Sequence, residues 1–205
     1  MKKIVLFLIM IVMLFSFCGC SSVSSEDAEG TLDQFVKALK AYDKTAMSEH
    51  LTVFPDNSAY VYHDDIFNDT GYMELYRMLY GDLSYEIQSY EDDQMVISFT
   101  MPNVQKLYTD VSGMVLSLAM SDTTLQEKLA ENDENGIVLI REMMLSLAAQ
   151  NKGIEQMTED FTLTFKNGGE KTLILCDDEL KALMTGNFFL SKNTTLESIE
   201  SGNSE

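Results

Sequence analysis

Residues 161–176 read FTLTFKNGGEKTLILC and consist of two apolar runs separated by a turn. In the first run, phenylalanine and leucine alternate with two threonines, which is the period-two pattern of a strand with one buried face. Asn167-Gly168-Gly169 supplies residues that tolerate the positive φ angles of a tight hairpin turn. Lys171–Cys176 then predicts the returning strand, so the segment predicts an antiparallel β-hairpin.

A second pair of strands is predicted upstream of this hairpin. Leu83–Tyr90 and Met95–Met101 have strand composition, and Glu91-Asp92-Asp93-Gln94 joins them. Between the two hairpins, residues 104–150 have helical spacing, with breaks at 121–122 and 132–136. Strands grouped in antiparallel pairs and separated from helices indicate an α+β fold with a helical insertion at about 104–150.

Shorter helices are predicted on either side of the strands. Thr31–Tyr42 has one apolar face and one basic face, with Thr31 as its N-cap. The other three are a short helix from Asp43 to Leu51, a helix from Asp69 or Thr70 to Gly81, and a last helix from Asp177 to Gly186.

The first helix and the last hairpin each carry an apolar face that must be buried. Burying one large apolar side chain is worth about 1.5–3 kcal/mol, so the two faces are expected to meet. We therefore expect the helix to lie across the concave side of a curved sheet, with any pocket at the open end of that contact. The expected walls of the pocket are Phe35, Leu39, Tyr72, Tyr76, Leu163 and Phe165.

The N-terminus has the features of an export signal. Lys2 and Lys3 precede Ile4–Phe17, a run of 14 residues that is apolar except at Ser16. Spanning a bilayer as a helix takes about 20 residues, whereas 10–14 is typical of signal peptides. Lysines before the run and none directly after it predict that the rest of the chain is exported.

The run ends in Phe17-Cys18-Gly19-Cys20-Ser21-Ser22, which resembles the lipobox of bacterial lipoproteins. The resemblance implies cleavage between Gly19 and Cys20 and a lipid on Cys20, because a thiolate can take a diacylglyceryl group as a thioether. Phe17 and Cys18 stand where Leu and Ala or Ser are usual. The expected location is the extracytoplasmic face of the cell membrane; an uncleaved transmembrane anchor is the alternative, which the short run disfavours.

Cleavage at this point divides the chain into four parts. Residues 1–19 are the leader, and residues 20–30 are the lipidated cysteine and a serine-rich flexible tether. Residues 31–190 are long enough for one domain with a hydrophobic core. Residues 191–205 have few apolar side chains and are predicted to be disordered.

The processed chain is strongly acidic. Removing Lys2 and Lys3 from 14 basic residues leaves 12 against 33 acidic ones, a net charge of −21. This charge excludes nucleic acid, whose binding requires basic residues against phosphates. The expected partners are the membrane, through the lipid on Cys20, and an unknown small molecule, peptide or envelope protein.

Two cysteines remain after processing, and Cys20 is acylated, so no intramolecular disulfide is expected. Free cysteine is among the most buried residue types, and Cys176 is expected to be buried in the last strand.

The chain resembles small lipoproteins of unknown function that have an NTF2-like, cystatin-like fold. The resemblance rests on the acylated Cys20, the serine-rich tether, the first helix, and a terminal hairpin followed by Asp177-x-x-Leu180 and a glycine. Such proteins often carry a tryptophan in the last hairpin, and this sequence has none. The resemblance implies a curved antiparallel sheet wrapped round a helix, and it implies no activity.

One segment has the spacing of an EF-hand calcium loop. Glu131-x-Asp133-x-Asn135-Gly136 is followed by Glu142 at the twelfth position. The alternative is a surface break between two helices. A Glu at the first position is one methylene too long for a tight loop, so we expect no specific calcium binding.

No catalytic arrangement stands out in the sequence. The histidines are His50 and His63, and His63-Asp64-Asp65 is expected to be a solvated loop rather than a metal or acid–base site. Seven of the nine tyrosines lie between Tyr60 and Tyr90, where core packing is a simpler interpretation than a ligand-binding wall. No phosphate loop or hydrolase motif occurs, and no cofactor is expected.

The sequence thus predicts a membrane-anchored extracytoplasmic lipoprotein whose domain is a non-enzymatic binding or envelope-interaction module. Two alternatives remain: an NTF2-like enzyme with a carboxylate in the concave pocket, and a calcium-dependent adhesion or sensor protein. The predicted strands place no acid on their apolar faces, which disfavours the enzyme.

Overall fold

Four antiparallel strands form one curved sheet in the order β1-β2-β3-β4 in the computed structural model. The structure describes residues 22–53, 70–151 and 153–186, apart from the side chains of residues 133 and 134. The fold is α+β, as the sequence predicts. The strands are β1 (Ser84–Glu91), β2 (Gln94–Pro102), β3 (Gln156–Asn167) and β4 (Thr172–Ile174).

The central strands β2 and β3 pair along their full overlap, from Gln94↔Thr164 to Pro102↔Gln156. Residues 104–149, which are helical, are therefore inserted between two neighbouring strands. The two hairpin turns lie at the same end of the sheet, since β1 and β2 are joined at residues 92–93 and β3 and β4 at residues 168–171.

The sheet buries one face and leaves the other polar. The apolar residues at 95–101 of β2 and 161–165 of β3 that face the core are at most 4% exposed. Nearer the start of β3, Met157 and Glu159 lie on the same face and are partly exposed, so the expectation that this face carries no acid is wrong at Glu159. On the opposite face, Ser98 donates to the Asp160 carboxylate, and the hydroxyls of Thr100 and Thr158 lie 3.0 Å apart. The buried set is Met95, Ile97, Phe99, Met101, Phe161, Leu163 and Phe165.

Helix α1 (Ser25–Ala41) begins six residues before the predicted start at Thr31. The flexible tether predicted for residues 20–30 is therefore wrong from Ser25 onward. Ser24 is the N-cap, and its hydroxyl accepts a hydrogen bond from the Asp27 amide at 3.1 Å. Ala28 is fully buried, so the first turn also packs on the core.

The remaining helices lie close to their predicted positions. Asp43 and Asp177 cap α2 (Lys44–Ser48) and α7 (Asp178–Thr185) as predicted, and α3 spans Thr70–Tyr80. The helical insertion contains α4 (Val104–Ser121), α5 (Thr123–Glu131) and α6 (Asp133–Ala149). Among the residues described, no helix is long and apolar enough to cross a membrane.

The apolar face of α1 and that of the last hairpin belong to one continuous core. Leu32, Phe35 and Leu39 are fully buried there, together with Leu163 and Phe165 of β3. The expected meeting of the two faces is confirmed.

The C-terminal end of α7 lies inside this core, where its last carbonyl groups need protein donors. Three buried tyrosines supply them, one following α1 and two in α3. Their hydroxyls donate to carbonyl oxygens, Tyr42 to Met184 (3.2 Å), Tyr76 to Thr185 (2.9 Å) and Tyr80 to Leu183 (2.6 Å). The rings of Tyr42 and Tyr76 stack with centroids 4.8 Å apart.

These tyrosines predict a loss of stability at alkaline pH. Burial raises the pKa of Tyr42, Tyr76 and Tyr80 above the ordinary value of 10. The folded chain then holds protons that the unfolded chain releases, so the stabilisation is complete below pH 10 and is lost as pH rises toward the folded pKa values. Each proton that the folded chain holds in excess of the unfolded chain lowers the free energy of unfolding by about 1.4 kcal/mol per pH unit. We expect the three phenols to ionise only together with unfolding, which absorbance near 295 nm and circular dichroism can follow. Ionisation of all tyrosines with unchanged circular dichroism would contradict this.

Gly186, which ends α7, is predicted to resist substitution. Its φ is +59°, and a Cβ there would lie 2.5 Å from Val104 Cγ2 and 3.2 Å from the Tyr80 hydroxyl. Gly186→Ala should therefore combine left-handed strain with overpacking and cost about 2–5 kcal/mol. Gly153→Ala is the control, because Gly153 has a φ of +70° but no atom within 4 Å of the added Cβ. Urea unfolding of the chain from residue 22 measures both, and equal losses would show that the contact with Val104 is irrelevant.

Candidate functional site

The pocket predicted at the helix–sheet contact is not lined as expected. Phe35, Leu39 and Leu163 are 0% exposed, and Tyr76 and Phe165 are 1% exposed. The prediction that these residues form pocket walls is wrong, because they pack against one another as core. Close packing of the interior removes the space that the open end of the contact was expected to leave. Tyr72 is partly buried, and the Arg141 guanidinium carbon lies 5.6 Å from its ring centroid.

A surface cleft lies instead between α3 and the segment that joins α1 to α2. Its volume is about 520 Å³. Cavities of about 300–1,000 Å³ are typical of small-molecule sites. The residues lining it are Ala41, Tyr42, Asp43, Lys44, Thr45, Thr70, Met73, Glu74 and Arg77.

The turn after α1 creates one wall of this cleft. Tyr42 adopts the left-handed conformation with a φ of 48° and ends the helix. Asp43 then caps α2, its carboxylate accepting from the Ala46 amide at 3.1 Å. Because Tyr42 stacks on Tyr76 of α3, this wall is held at a fixed distance from α3.

Charges of both signs border the cleft. Arg77 and Glu74 form a loose ion pair at 4.0 Å, with 61% and 52% of their side chains exposed. Such an exposed pair contributes at most about 1 kcal/mol, so either group can be redirected to a ligand at low cost. With Lys44, Asp43 and the apolar Met73, the lining suits a small molecule or peptide end that carries both charges and an apolar part.

The calcium-loop candidate does not form a loop. Glu131 is the last residue of α5, Asn132 is a one-residue break, and α6 begins at Asp133. The Asn135 side-chain amide donates to the Lys128 carbonyl at 2.8 Å, which joins the two helices. An EF-hand needs its first nine positions in an open loop, so the candidate set of Glu131, Asp133, Asn135 and Glu142 is wrong as a calcium cage. The alternative of a break between helices is the correct one.

The histidine and cysteine predictions have mixed outcomes. His50 is partly buried, which lowers its pKa, and its carbonyl accepts from the Ile174 amide at 2.8 Å. Cys176 follows β4 rather than lying in it and is half-buried, so the expected full burial is wrong; burial raises the pKa of its thiol. No three His, Cys, Asp or Glu side chains in the described ranges are grouped to hold a metal ion.

Several predicted features lie outside the described residues. These are the leader at 1–19, Gly19 and Cys20, His63-Asp64-Asp65, and the tail at 191–205. They remain predictions from the sequence.

Two surface features were not predicted from the sequence. Helix α4 exposes large apolar side chains along 111–121, a run without a charged residue. The absence of charged residues from this run is the sequence signal that could have predicted an exposed apolar surface. In the second feature, the backbone of Val23 is bound at the β1–β2 turn, a contact across 67–70 residues that no local pattern reveals. The exposed side chains on α4 are Met114, Leu116, Leu118 and Met120.

Comparisons of this chain with protein-family models, curated proteins and solved structures give no match.

Proposed function

We propose that the chain is a lipid-anchored extracytoplasmic lipoprotein whose domain binds a ligand and does not catalyse a reaction. The observation that carries the proposal is Cys20, which follows Gly19 at the end of the apolar run Ile4–Phe17. A cysteine in this position supplies the one nucleophile that a stable lipid thioether requires. Two or more acyl chains then hold the protein firmly in a bilayer.

The use of buried polar groups favours binding over catalysis. The hydroxyls of Tyr42, Tyr76 and Tyr80 all donate to backbone carbonyl oxygens, so each serves the fold. Thr185, the buried polar residue of the described core, likewise donates to the carbonyl of Lys181. A general acid or base usually lies where the protein excludes water, whereas the Asp43 and Glu74 carboxylates of this cleft are exposed.

The cleft between α1 and α3 is the site that we assign to the ligand. Its volume is in the range of small-molecule sites, and Lys44 and Arg77 are two of only 12 basic residues in the processed chain. A ligand with a carboxylate and a cationic or apolar end matches this lining. A short peptide has these groups, and a peptide end is therefore the ligand class that we propose.

Anchoring predicts the behaviour of Cys20→Ser. We expect the variant to lose all incorporation of labelled palmitate and to accumulate as unprocessed precursor, because serine cannot form the thioether. Cys176→Ser is the matched control and should be labelled and fractionate with membranes like the unaltered chain. Normal labelling of Cys20→Ser in growing cells would overturn the proposal.

Ligand binding predicts a selective effect of Arg77→Gln. A ligand at about 100 times its Kd stabilises a fold by about 2.7 kcal/mol, which raises the Tm by roughly 5–10 °C in a domain of this size. We expect members of a dipeptide and cell-wall peptide set to raise the Tm of the chain from residue 22, and Arg77→Gln to abolish the rise. Lys106→Gln is the control, because Lys106 also pairs with an acid on an exposed helix face but lies outside the cleft. A rise that persists in Arg77→Gln, or no rise with any peptide, would count against the assignment.

A further inference from the structure

The chain that precedes α1 is bound to one end of the sheet by its backbone. The Val23 amide donates to Asp93 Oδ1 at 2.7 Å, and the Tyr90 hydroxyl donates to the Val23 carbonyl at 2.8 Å. Val23 itself is 7% exposed. We refer to these two hydrogen bonds as the Val23 clamp.

The clamp rests on a rigid turn. Asp92 and Asp93 both have positive φ, 51° and 61°, as in a two-residue type I′ hairpin turn. The Asp93 carbonyl accepts from the Phe165 amide at 2.7 Å, and the Tyr90 ring packs edge-on against Phe165. The clamp is therefore attached to two strands and moves with the sheet.

From this geometry, and resting on the proposed lipid at Cys20, we infer that the domain stands on the membrane with its two hairpin turns toward the lipid headgroups. Two residues, Ser21 and Ser22, lie between Cys20 and Val23, so three residue-to-residue steps join the two. A fully extended chain spans at most about 3.3–3.6 Å per residue, so Val23 lies within about 11 Å of the anchored cysteine.

The domain is longer than this tether. Strand β2 has nine residues from the turn to Pro102, and at about 3.3 Å per residue its far end lies about 26 Å from the turn. An 11 Å tether attached at the turn end cannot bring the far end to the headgroups while the turn end points away. The far end, with Pro102 and Gln156, therefore cannot be the end that rests on the membrane.

Charged side chains at the turn end affect how closely the domain can approach the lipid headgroups. Glu91, Asp92 and Asp93 lie at the β1–β2 turn, and the β3–β4 turn carries Glu170 between Lys166 and Lys171. The Debye length is about 8 Å at physiological ionic strength, which is close to the reach of the tether. The acids are thus near enough to be repelled by anionic headgroups, and the domain should approach a zwitterionic surface more closely.

The orientation is tested with the full acylated chain, purified from membranes in a Cys176→Ser background and reconstituted in phosphatidylcholine vesicles. A fluorophore is placed on Glu170→Cys in the β3–β4 turn or on Gln156→Cys at the opposite end of β3, both exposed positions. With a nitroxide quencher on the headgroups, we expect quenching at least threefold stronger at residue 170 than at residue 156. Equal or reversed quenching on vesicle-bound protein overturns the orientation and leaves the anchor in place. Protein that does not float with vesicles overturns the anchor as well.

A longer tether is the decisive variant. Inserting 20 Gly/Ser residues between Ser22 and Val23 adds roughly 25 Å of root-mean-square reach, comparable to the length of the sheet. The quenching difference between residues 170 and 156 should then largely disappear. A difference that persists would show that another surface orients the domain, contrary to the inference.

The clamp is tested at the two aspartates of the turn. Asp93→Gly removes the acceptor of the Val23 amide and keeps the positive φ, so hydrogen exchange of that amide should be at least tenfold faster. Asp92→Gly changes the same turn without touching the clamp and should leave this exchange rate unchanged. Equal exchange rates in the two variants would contradict the clamp.

Discussion

The fold depends on satisfying the carbonyl groups at the buried end of α7. A helix leaves its last carbonyls without intrahelical partners, and in a core they cannot turn to water. Tyr42, Tyr76 and Tyr80 reach these groups from the end of α1 and from α3, so one set of hydrogen bonds joins three helices. Leaving a single buried acceptor unsatisfied costs about 1–3 kcal/mol. The expected processed chain has no pair of free cysteines to cross-link. The hydrogen bonds of these tyrosines therefore link distant parts of the chain, as disulfides do in many exported domains.

Local signals in the sequence predicted the elements that are determined locally. The alternation at 161–165, the glycines after Asn167, and the aspartates that cap α2 and α7 act within a few residues of themselves. The start of α1 was misplaced because serines and acids between Ser21 and Gly30 have the composition of a linker. They also form a good N-cap and first turn, and the burial of Val23 and Ala28 against distant residues decides between the two.

The candidate sites were harder to predict, for related reasons. The spacing from Glu131 to Glu142 suits a calcium loop and equally suits a helix that begins at Asp133. Leu139 and Ile140 favour the helix because they pack against the core. The predicted pocket walls are apolar residues, and apolarity does not distinguish a pocket wall from a core. Whether a cavity remains is set by how completely two faces fit together, which only the three-dimensional arrangement shows. The cleft beside Tyr42 depends on a left-handed residue after α1, and no motif in the sequence marks it.

The Val23 clamp also bears on the order of events when the protein matures. If the leader is removed as proposed, the enzymes that acylate and cut the chain must bind residues 17–20. Cys20 is only three positions from Val23, whose backbone is hydrogen-bonded to the folded domain. A protease cleft commonly needs several extended, accessible residues on each side of the scissile bond. The backbone of Val23 is no longer accessible once it is hydrogen-bonded to Asp93 and Tyr90. Maturation and folding therefore compete for the same few residues. A β1–β2 hairpin that closes only after processing would resolve this competition.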